Sequence, residues 1–489
     1  MRRPGTGRLL RLTVLAGLAG CQAVGPDYQG APAGTTADVA RYPSADAAPK
    51  EAQTVEAAPV RVDAPAASWW QELHDPDLDA LIENARSVNY DLRVAAANVE
   101  AARATLTQTL TQRLPTLDAN ASVTERRNSS ALFPIGSRAE NPLPTLLGGT
   151  FGFDLTWEID LFGRVQRSIE AASADLGAVE ALRQDVMVSV LAGVARAYID
   201  LRGSQTRLDV AARNVTVQRQ TLELVDLLYR EGVATELDVA RARTQLLASE
   251  ATIPPLEAAV TASLNRLTTF TAQAPGALAS RLGTAKPLPA MPPFLAVGEP
   301  ADLLRRRPDI RAAEQALAGA TARVGVATAD LFPTVRFGAL GGVGAVKLSS
   351  LTAPGAPFLT VGPALTWNLF DRGAIRARIR AADASTEAAL ASYEATVTRA
   401  LEEVDSALSA YRNEQYRATR LEAALGASRE ASSLANLRYR EGVEDFLTVL
   451  DAERSLLDVE DQLAQSRVAV AQFLIDIHLA LGGGWQSEP

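Results

Sequence analysis

The sequence predicts a mainly α-helical, internally duplicated chain that lends four β-strands to a membrane barrel shared among several copies and continues into a long coiled-coil barrel. Three observations carry this prediction. A series of short motifs occurs twice in the same order. Each half contains a segment in which apolar and polar residues alternate, and each half ends in helical stretches far longer than a compact domain requires. Composition agrees: aromatic residues make up only 5% of the 489, and Ala, Leu, Val, Arg, Glu and Gln dominate long stretches, as in extended helices.

The duplication fixes the architecture. Asp91-Leu92-Arg93 matches Asp309-Ile310-Arg311, and Leu114-Pro115-Thr116 matches Phe332-Pro333-Thr334, both at an offset of 218 residues. Beyond the intervening loops the offset becomes 210: Leu155-Thr156-Trp157 matches Leu365-Thr366-Trp367, and Tyr229-Arg230-Glu231-Gly232-Val233 matches Tyr439-Arg440-Glu441-Gly442-Val443. Each half therefore reads as a helix, two strands and two long helices.

Residues 1–20 combine Arg2, Arg3, Arg8 and Arg11 with an apolar run from Leu12 to Gly20, too short to span a bilayer and suited to a signal-peptide core. The run ends in Leu18-Ala19-Gly20-Cys21, which resembles the lipobox of bacterial lipoproteins, where diacylglyceryl and N-acyl lipid are attached to the cysteine. Cys21 is the only cysteine, which excludes an intramolecular disulfide and a thiolate metal cluster. Removing residues 1–20 takes away four arginines and no acids, so the net charge falls from −9 to −13 and nucleic acid is not an expected partner. Residues 21–67 are rich in Ala, Pro, Thr, Asp and Gly without apolar periodicity and read as a lipidated tether. Order begins near Trp69, and residues 68–114 form the first helix and an equatorial part.

Residues 115–161 hold the first strand pair. From Thr150 to Asp160, Phe151, Phe153, Leu155, Trp157 and Ile159 share one face, while Gly152, Asp154, Thr156, Glu158 and Asp160 share the other. A soluble sandwich gives the same alternation, but three carboxylates on the polar face suit a water-filled lumen backed by lipid. Thr116 to Asn128 is the partner strand, and Ser129 to Gly149 reads as a loop. In the second pair, residues 333–370, Thr334 to Val343 pairs with a weaker alternating strand around Leu359, Val361, Leu365 and Trp367, interrupted by Pro363; Ala345 to Pro357 reads as the loop between. Apart from the short export signal, no run has the roughly 18 apolar residues of a spanning helix. Four strands cannot close a useful bore and open edges are not tolerated in lipid, so several copies must combine.

The helical hairpins occupy residues 162–274 and 371–481, joined by an equatorial connection at 275–300 and a second-repeat helix at 301–332. Residues Arg164 to Tyr229 contain no proline, and a continuous helix of that length extends about 100 Å. Val449, Ala452, Leu456, Val459, Leu463, Ser466, Val470, Phe473 and Ile477 recur at spacings of three and four, a coiled-coil seam that Val239, Ala242, Leu246, Ser249 and Ile253 copy until Pro254-Pro255 breaks it. Residues 482–489 form a C-terminal tail, and Gly482-Gly483-Gly484 reads as a helix stop.

Cys21, Gly25-Pro26-Asp27-Tyr28, Trp69-Trp70, Asp75-Pro76, Leu303-Leu304-Arg305-Arg306-Arg307-Pro308-Asp309-Ile310 and the two Tyr-Arg-Glu-Gly-Val turns together make the chain resemble the TolC-like outer-membrane factor (outer membrane efflux protein) family, in its lipoprotein branch of OprM and NodT type. The resemblance implies a homotrimer in the outer membrane of a Gram-negative bacterium, with a twelve-stranded barrel leading into a periplasmic helical tunnel. It implies an exit duct for a tripartite efflux system, working with a periplasmic membrane-fusion adaptor and a proton-driven inner-membrane pump, with no cofactor. Carried over residue by residue, it places an apolar and acidic gate at Leu447 and Asp451, with Arg454 one turn beyond, and a latch at Asp238 and Tyr439. Thr448 and Glu444 depart from the TolC-type latch. The adaptor-docking hairpin tips are Tyr229, Arg230, Gly232 and Val233, and Tyr439, Arg440, Gly442 and Val443. From sequence alone Asp451 reads first as a residue on a solvated helix face, and it is the family resemblance that moves it to the gate.

No catalytic constellation emerges. His74 and His478 lack metal-ligand spacing and read as surface or satisfied structural histidines, and Glu402-Glu403 reads as ordinary solvation of a helix face. The competing reading is a periplasmic coiled-coil adaptor or lipoprotein scaffold. It accounts for the hairpins but not for four amphipathic strands duplicated together with them.

Overall fold

The computed structural model describes residues 23–30, 42–46, 60–61, 63, 66–127 and 145–485. Cys21, the expected signal peptide, most of the tether and most of the first expected loop lie outside the described residues. Among the described residues the main elements are α1 (Pro76–Val88), α2 (Tyr90–Leu110), β1 (Thr116–Arg126), β2 (Leu146–Ile159), α3 (Arg164–Arg230), α4 (Glu236–Glu250), α5 (Ile253–Phe270), α6 (Pro308–Ala329), β3 (Thr334–Ala345), β4 (Pro357–Thr366), α7 (Arg372–Arg440) and α8 (Phe446–Ala480). The α3 and α7 helices, 67 and 69 residues long, occupy corresponding places in the two repeats. Where α8 runs unbroken, its counterpart is divided into α4 and α5; the second piece opens at Ile253 with proline in its first turn, where a missing N–H does no harm.

The chain divides into two compact units. One contains residues Glu100–Ala178 and Glu314–Ala391 with the described residues 23–30. Its four-stranded antiparallel sheet has the order β1-β2-β3-β4. The register resolves the two faces. Opposite Asp154 stand Asp118 on β1 and Leu340 on β3, and opposite Phe153 stand Ala119 and Gly341, so side chains sort consistently across the strands. The apolar face carries Leu117, Val123, Phe151, Phe153, Leu359, Val361 and Leu365, every one exposed in the single chain, with Leu359 at 76%. On the other face lie Thr116, Asp118, Asn120, Asp154, Thr156, Glu158 and Arg336. A sheet that bares these apolar side chains and places Asp118, Asp154 and Glu158 on the opposite face, with Glu125 near the loop end of β1 the carboxylate on the apolar side and Leu340 among the polar residues, suits lipid outside and water inside. Pro363 sits in edge strand β4, where a missing ladder donor is tolerated.

Two loop expectations are corrected. Gly148 and Gly149 lie in β2, not in a loop, and Ala345 and Pro357 likewise close β3 and open β4. The glycines mislead because they mark close strand approach: a Cβ on Gly148 would stand 2.7 Å from the Ala345 carbonyl oxygen. The N-terminal residues are tied to this same unit. The Arg167 guanidinium, only 5% exposed, donates to the Val24 carbonyl at 3.1 Å and to Asp27 at 2.5 Å, and Gly25 adopts φ 90 against Gly325.

The second unit comprises the described parts of Pro32–Val99, Val179–Ala313 and Ser392–Pro489. Its core holds a polar hub at Asp77, which pairs with the fully buried Arg202 at 3.2 Å, Arg281 at 3.2 Å and Lys286 at 2.6 Å. Those contacts tie α1 and α3 to the connection between the repeats, which contains a short parallel pairing of Val60–Arg61 with Leu295–Ala296. Burial of Tyr198 raises its phenol well above the ordinary range, and its hydroxyl donates to Asp75 at 2.6 Å. His478 is buried and stacked on Trp69 with ring centroids 4.8 Å apart, and desolvation pushes its pKa down to about 3. Glu403 corrects the solvated-face expectation: it accepts from Arg307 at 2.6 Å, while Arg307 also grips Asp309 through two nitrogens and donates to the Ala480 carbonyl.

Candidate functional site

The two Tyr-Arg-Glu-Gly-Val segments are helix terminators, and their chemistry explains why the same five residues occur twice. Gly232 at φ 76 and Gly442 at φ 72 take the left-handed conformation that other residues resist. Their N–H groups donate to Tyr229 and Tyr439 carbonyls, and those of Val233 and Val443 reach back to Leu228 and Arg438, closing the Schellman pattern. The next helix starts at once in both cases. Thr235 and Asp238 form a reciprocal capping box at the head of α4, and Asp445 accepts from the Thr448 N–H at 3.0 Å at the head of α8. Each turn is therefore a stop and a start within a few residues, which makes a tight hairpin.

The two hairpin ends pack together. Val225, Val239, Ala242, Ala435, Phe446, Val449 and Leu450 form one buried cluster, with Tyr439 laid against Phe446 at a centroid distance of 5.6 Å. Above it sits a polar layer that the sequence reading missed. Glu453, 4% exposed, accepts hydrogen bonds from Gln218 at 3.0 Å, Asn436 at 3.3 Å and Thr221 at 3.4 Å. The signal was present: 446, 449, 450 and 453 form an i, i+3, i+4, i+7 stripe on one helix face.

The expected gate residues fall on the opposite side of α8. Leu447 and Asp451 are exposed neighbours at i, i+4, while Val449 and Leu450 between them in sequence, and Phe446 just before, are buried. Arg454 is drawn sideways, its Nε donating to Gln245 of α4 at 2.8 Å. Asp238 is engaged in its capping box, its Oδ2 accepting from the Thr235 hydroxyl at 2.7 Å and backbone N–H at 3.0 Å. It is still close enough to add to the effect of burial in raising the Tyr439 phenol. The repeats differ in charge here, since the counterpart of Asp451 is Arg241, which stands 3.9 Å from Asp238. Of the expected docking residues, Val233 at 72% and Val443 at 64% project freely, Tyr229 is exposed, and Arg230 pairs with Asp226.

The sequence profile of the outer membrane efflux protein family matches residues 81–273 and 300–483, both repeats and the greater part of the chain. The chain belongs to the outer membrane efflux protein family. The antibiotic efflux pump outer membrane protein ArpC of Pseudomonas putida is 30% identical over 495 residues, covering 99% of this chain and 97% of that protein. The pyoverdine export outer membrane protein OpmQ of Pseudomonas putida is 31% identical over 420 residues, covering 86% and 88%. Among solved structures, the outer-membrane channel OprN superposes with a TM-score of 0.86 at 39% identity over 95% of this chain and 100% of its own. The open-state MtrE channel of Neisseria gonorrhoeae gives 0.79 at 28% identity over 95% and 99%. As a member of this family of outer-membrane transport channels, the protein is a trimeric barrel to which each copy gives four strands, and it serves as the exit duct of a tripartite efflux system.

Proposed function

We propose that the duct is passive and gated at its hairpin ends, with Leu447 and Asp451 of three copies forming an apolar ring and an acidic ring around the axis. The observation that carries this reading is the division of α8 into two faces at the tip. Phe446, Val449 and Leu450 are consumed by the bundle core, which leaves Leu447 and Asp451 free to face a symmetry axis. A ring of like carboxylates attracts cations and resists anions. Arg454, Asp238 and Tyr439 support the rings from the flanks, and the exposed turn residues, including Arg440, Gly232 and Gly442, receive a periplasmic adaptor that links the duct to a proton-driven inner-membrane pump. Cys21 carries the diacylglyceryl and N-acyl lipid, and the chain performs no bond chemistry. Selection of cargo lies with the pump, because the duct offers substrate only a wet lumen.

The ring assignment is tested with Leu447→Cys. Cys21 is the only natural cysteine, so a charged methanethiosulfonate reagent acts on residue 447 alone once Cys21 is acylated. Block of the variant's conductance, with wild-type channels unaffected, is the expected result; an unblocked variant overturns the ring.

A further inference from the structure

The first turns of α7 carry Arg372, Arg376 and Arg380 at intervals of four residues, all exposed, and none forms an ion pair among the described residues. Four-residue spacing puts them on one stripe, rising about 12 Å along the axis. Immediately before them stand Trp367, Leu369 and Phe370, exposed at 45%, 48% and 102%. We infer that this stripe and its aromatic lip form a collar that binds the anionic headgroups of phospholipids in the membrane leaflet next to the helices.

Two relationships fix the direction of the stripe. Ile375, 1% exposed, and Arg378, which pairs with Asp330 at 3.1 Å, mark the side of α7 that packs on its own chain. The stripe is turned roughly 130° from that side. The repeat then separates lumen from lipid. Glu158, on the polar face of the sheet, bonds Arg164 at 2.8 Å, and the counterpart of Arg164 is Ala374. Trp157, on the apolar face, donates to the Arg113 carbonyl at 3.0 Å, and the Arg113 guanidinium reaches Gln166, the counterpart of Arg376. The 372–376–380 face is thus continuous with the apolar side of the sheet.

A lipid surface fits this patch better than a second copy of the chain. The face of α7 away from its own chain is lined by Ala377, Ala384 and Ala391, small residues suited to close helix packing, and its centre lies roughly 80° around the helix from that of the arginine stripe. Further along the stripe Asp383 and Glu387 reverse the sign, which confines the basic collar to the turns beside the sheet. Three cations without ion-pair partners among the described residues, beside an apolar band, match phosphate headgroups above acyl chains, each worth about fivefold in affinity for an anionic surface. In the trimer the collar comprises three such stripes.

The test uses detergent-purified trimers equilibrated with equal phosphatidylglycerol and phosphatidylethanolamine, with bound lipid counted by native mass spectrometry. Wild type is expected to enrich phosphatidylglycerol, and the Arg372→Gln, Arg376→Gln, Arg380→Gln variant to lose at least about fivefold of that enrichment. Enrichment unchanged in the triple variant overturns the collar. Should that variant not form trimers, Arg376→Glu alone is read in the same way. Single-channel conductance of the same proteins reports separately on the gate.

Discussion

Ala272 and Gly482 occupy the same helix-terminating position 210 residues apart, at φ 51 and φ 66. At both, the N–H of this residue and of its successor return to the final turn: Ala272 and Gln273 to Thr269 and Thr268, and Gly482 and Gly483 to Leu479 and His478. One repeat supplies the residue this backbone prefers and the other does not. A left-handed alanine is strained by about 1–2 kcal/mol, partly offset by the greater unfolded-state freedom of glycine. Ala272→Gly is therefore expected to stabilise by about 0.5–1 kcal/mol, read as a higher temperature of trimer dissociation. Gly482→Ala is expected to destabilise more, because its Cβ would meet the Arg306 carbonyl oxygen and Arg307 at 3.1 Å.

The tip glycines isolate the backbone effect. Nothing lies within 4 Å of a Cβ built on Gly232 or Gly442, so alanine there incurs only the left-handed strain. Each substitution is expected to destabilise its turn by about 1–2 kcal/mol and to speed amide exchange at residues 229–233 or 439–443 while leaving the sheet's exchange unchanged.

Burial and the neighbouring Asp309 raise the pKa of the Asp185 carboxyl, with Glu403 adding to this and Arg307 opposing it. A carboxyl whose folded pKa is raised contributes its stability below the unfolded value, and that contribution is lost as pH rises through the folded one. Asp185→Asn is therefore expected to be more heat-resistant than wild type at neutral pH, with the difference vanishing near pH 4. Equal stability of the two proteins at neutral pH would show that the charge at 185 is compensated.

His478 has the opposite sign. Its folded pKa of about 3 lies below that of an unfolded histidine, so its contribution is present above about pH 6.5 and is lost as pH falls toward 3. Wild type is expected to lose up to about 1.4 kcal/mol per pH unit from this group across that window. His478→Phe, which keeps a ring against Trp69, is expected to flatten the loss in acid unfolding curves.

Much of this fold was legible because its signals are periodic. Alternation marked the two faces of β2, motif offsets exposed the duplication, and the prolines at 254–255 located the division between α4 and α5. Where a residue serves two purposes the reading failed. Gly148 and Gly149 look like loop glycines but serve strand contact, and Glu403 looks like a surface acid but balances Arg307. Glu453 was missed because a carboxylate on a helix suggests solvent, although its position continued the apolar stripe. The capping role of Asp238 was readable from Thr235 three residues earlier, and it competes with the latch role that the family pattern suggests.

The most direct test of a gated duct is single-channel conductance of purified trimers in a planar bilayer, comparing wild type with Asp451→Ala. The account predicts discrete, cation-preferring pores of low conductance that widen and lose cation preference in the variant. Pores of identical conductance and selectivity in both proteins would contradict it.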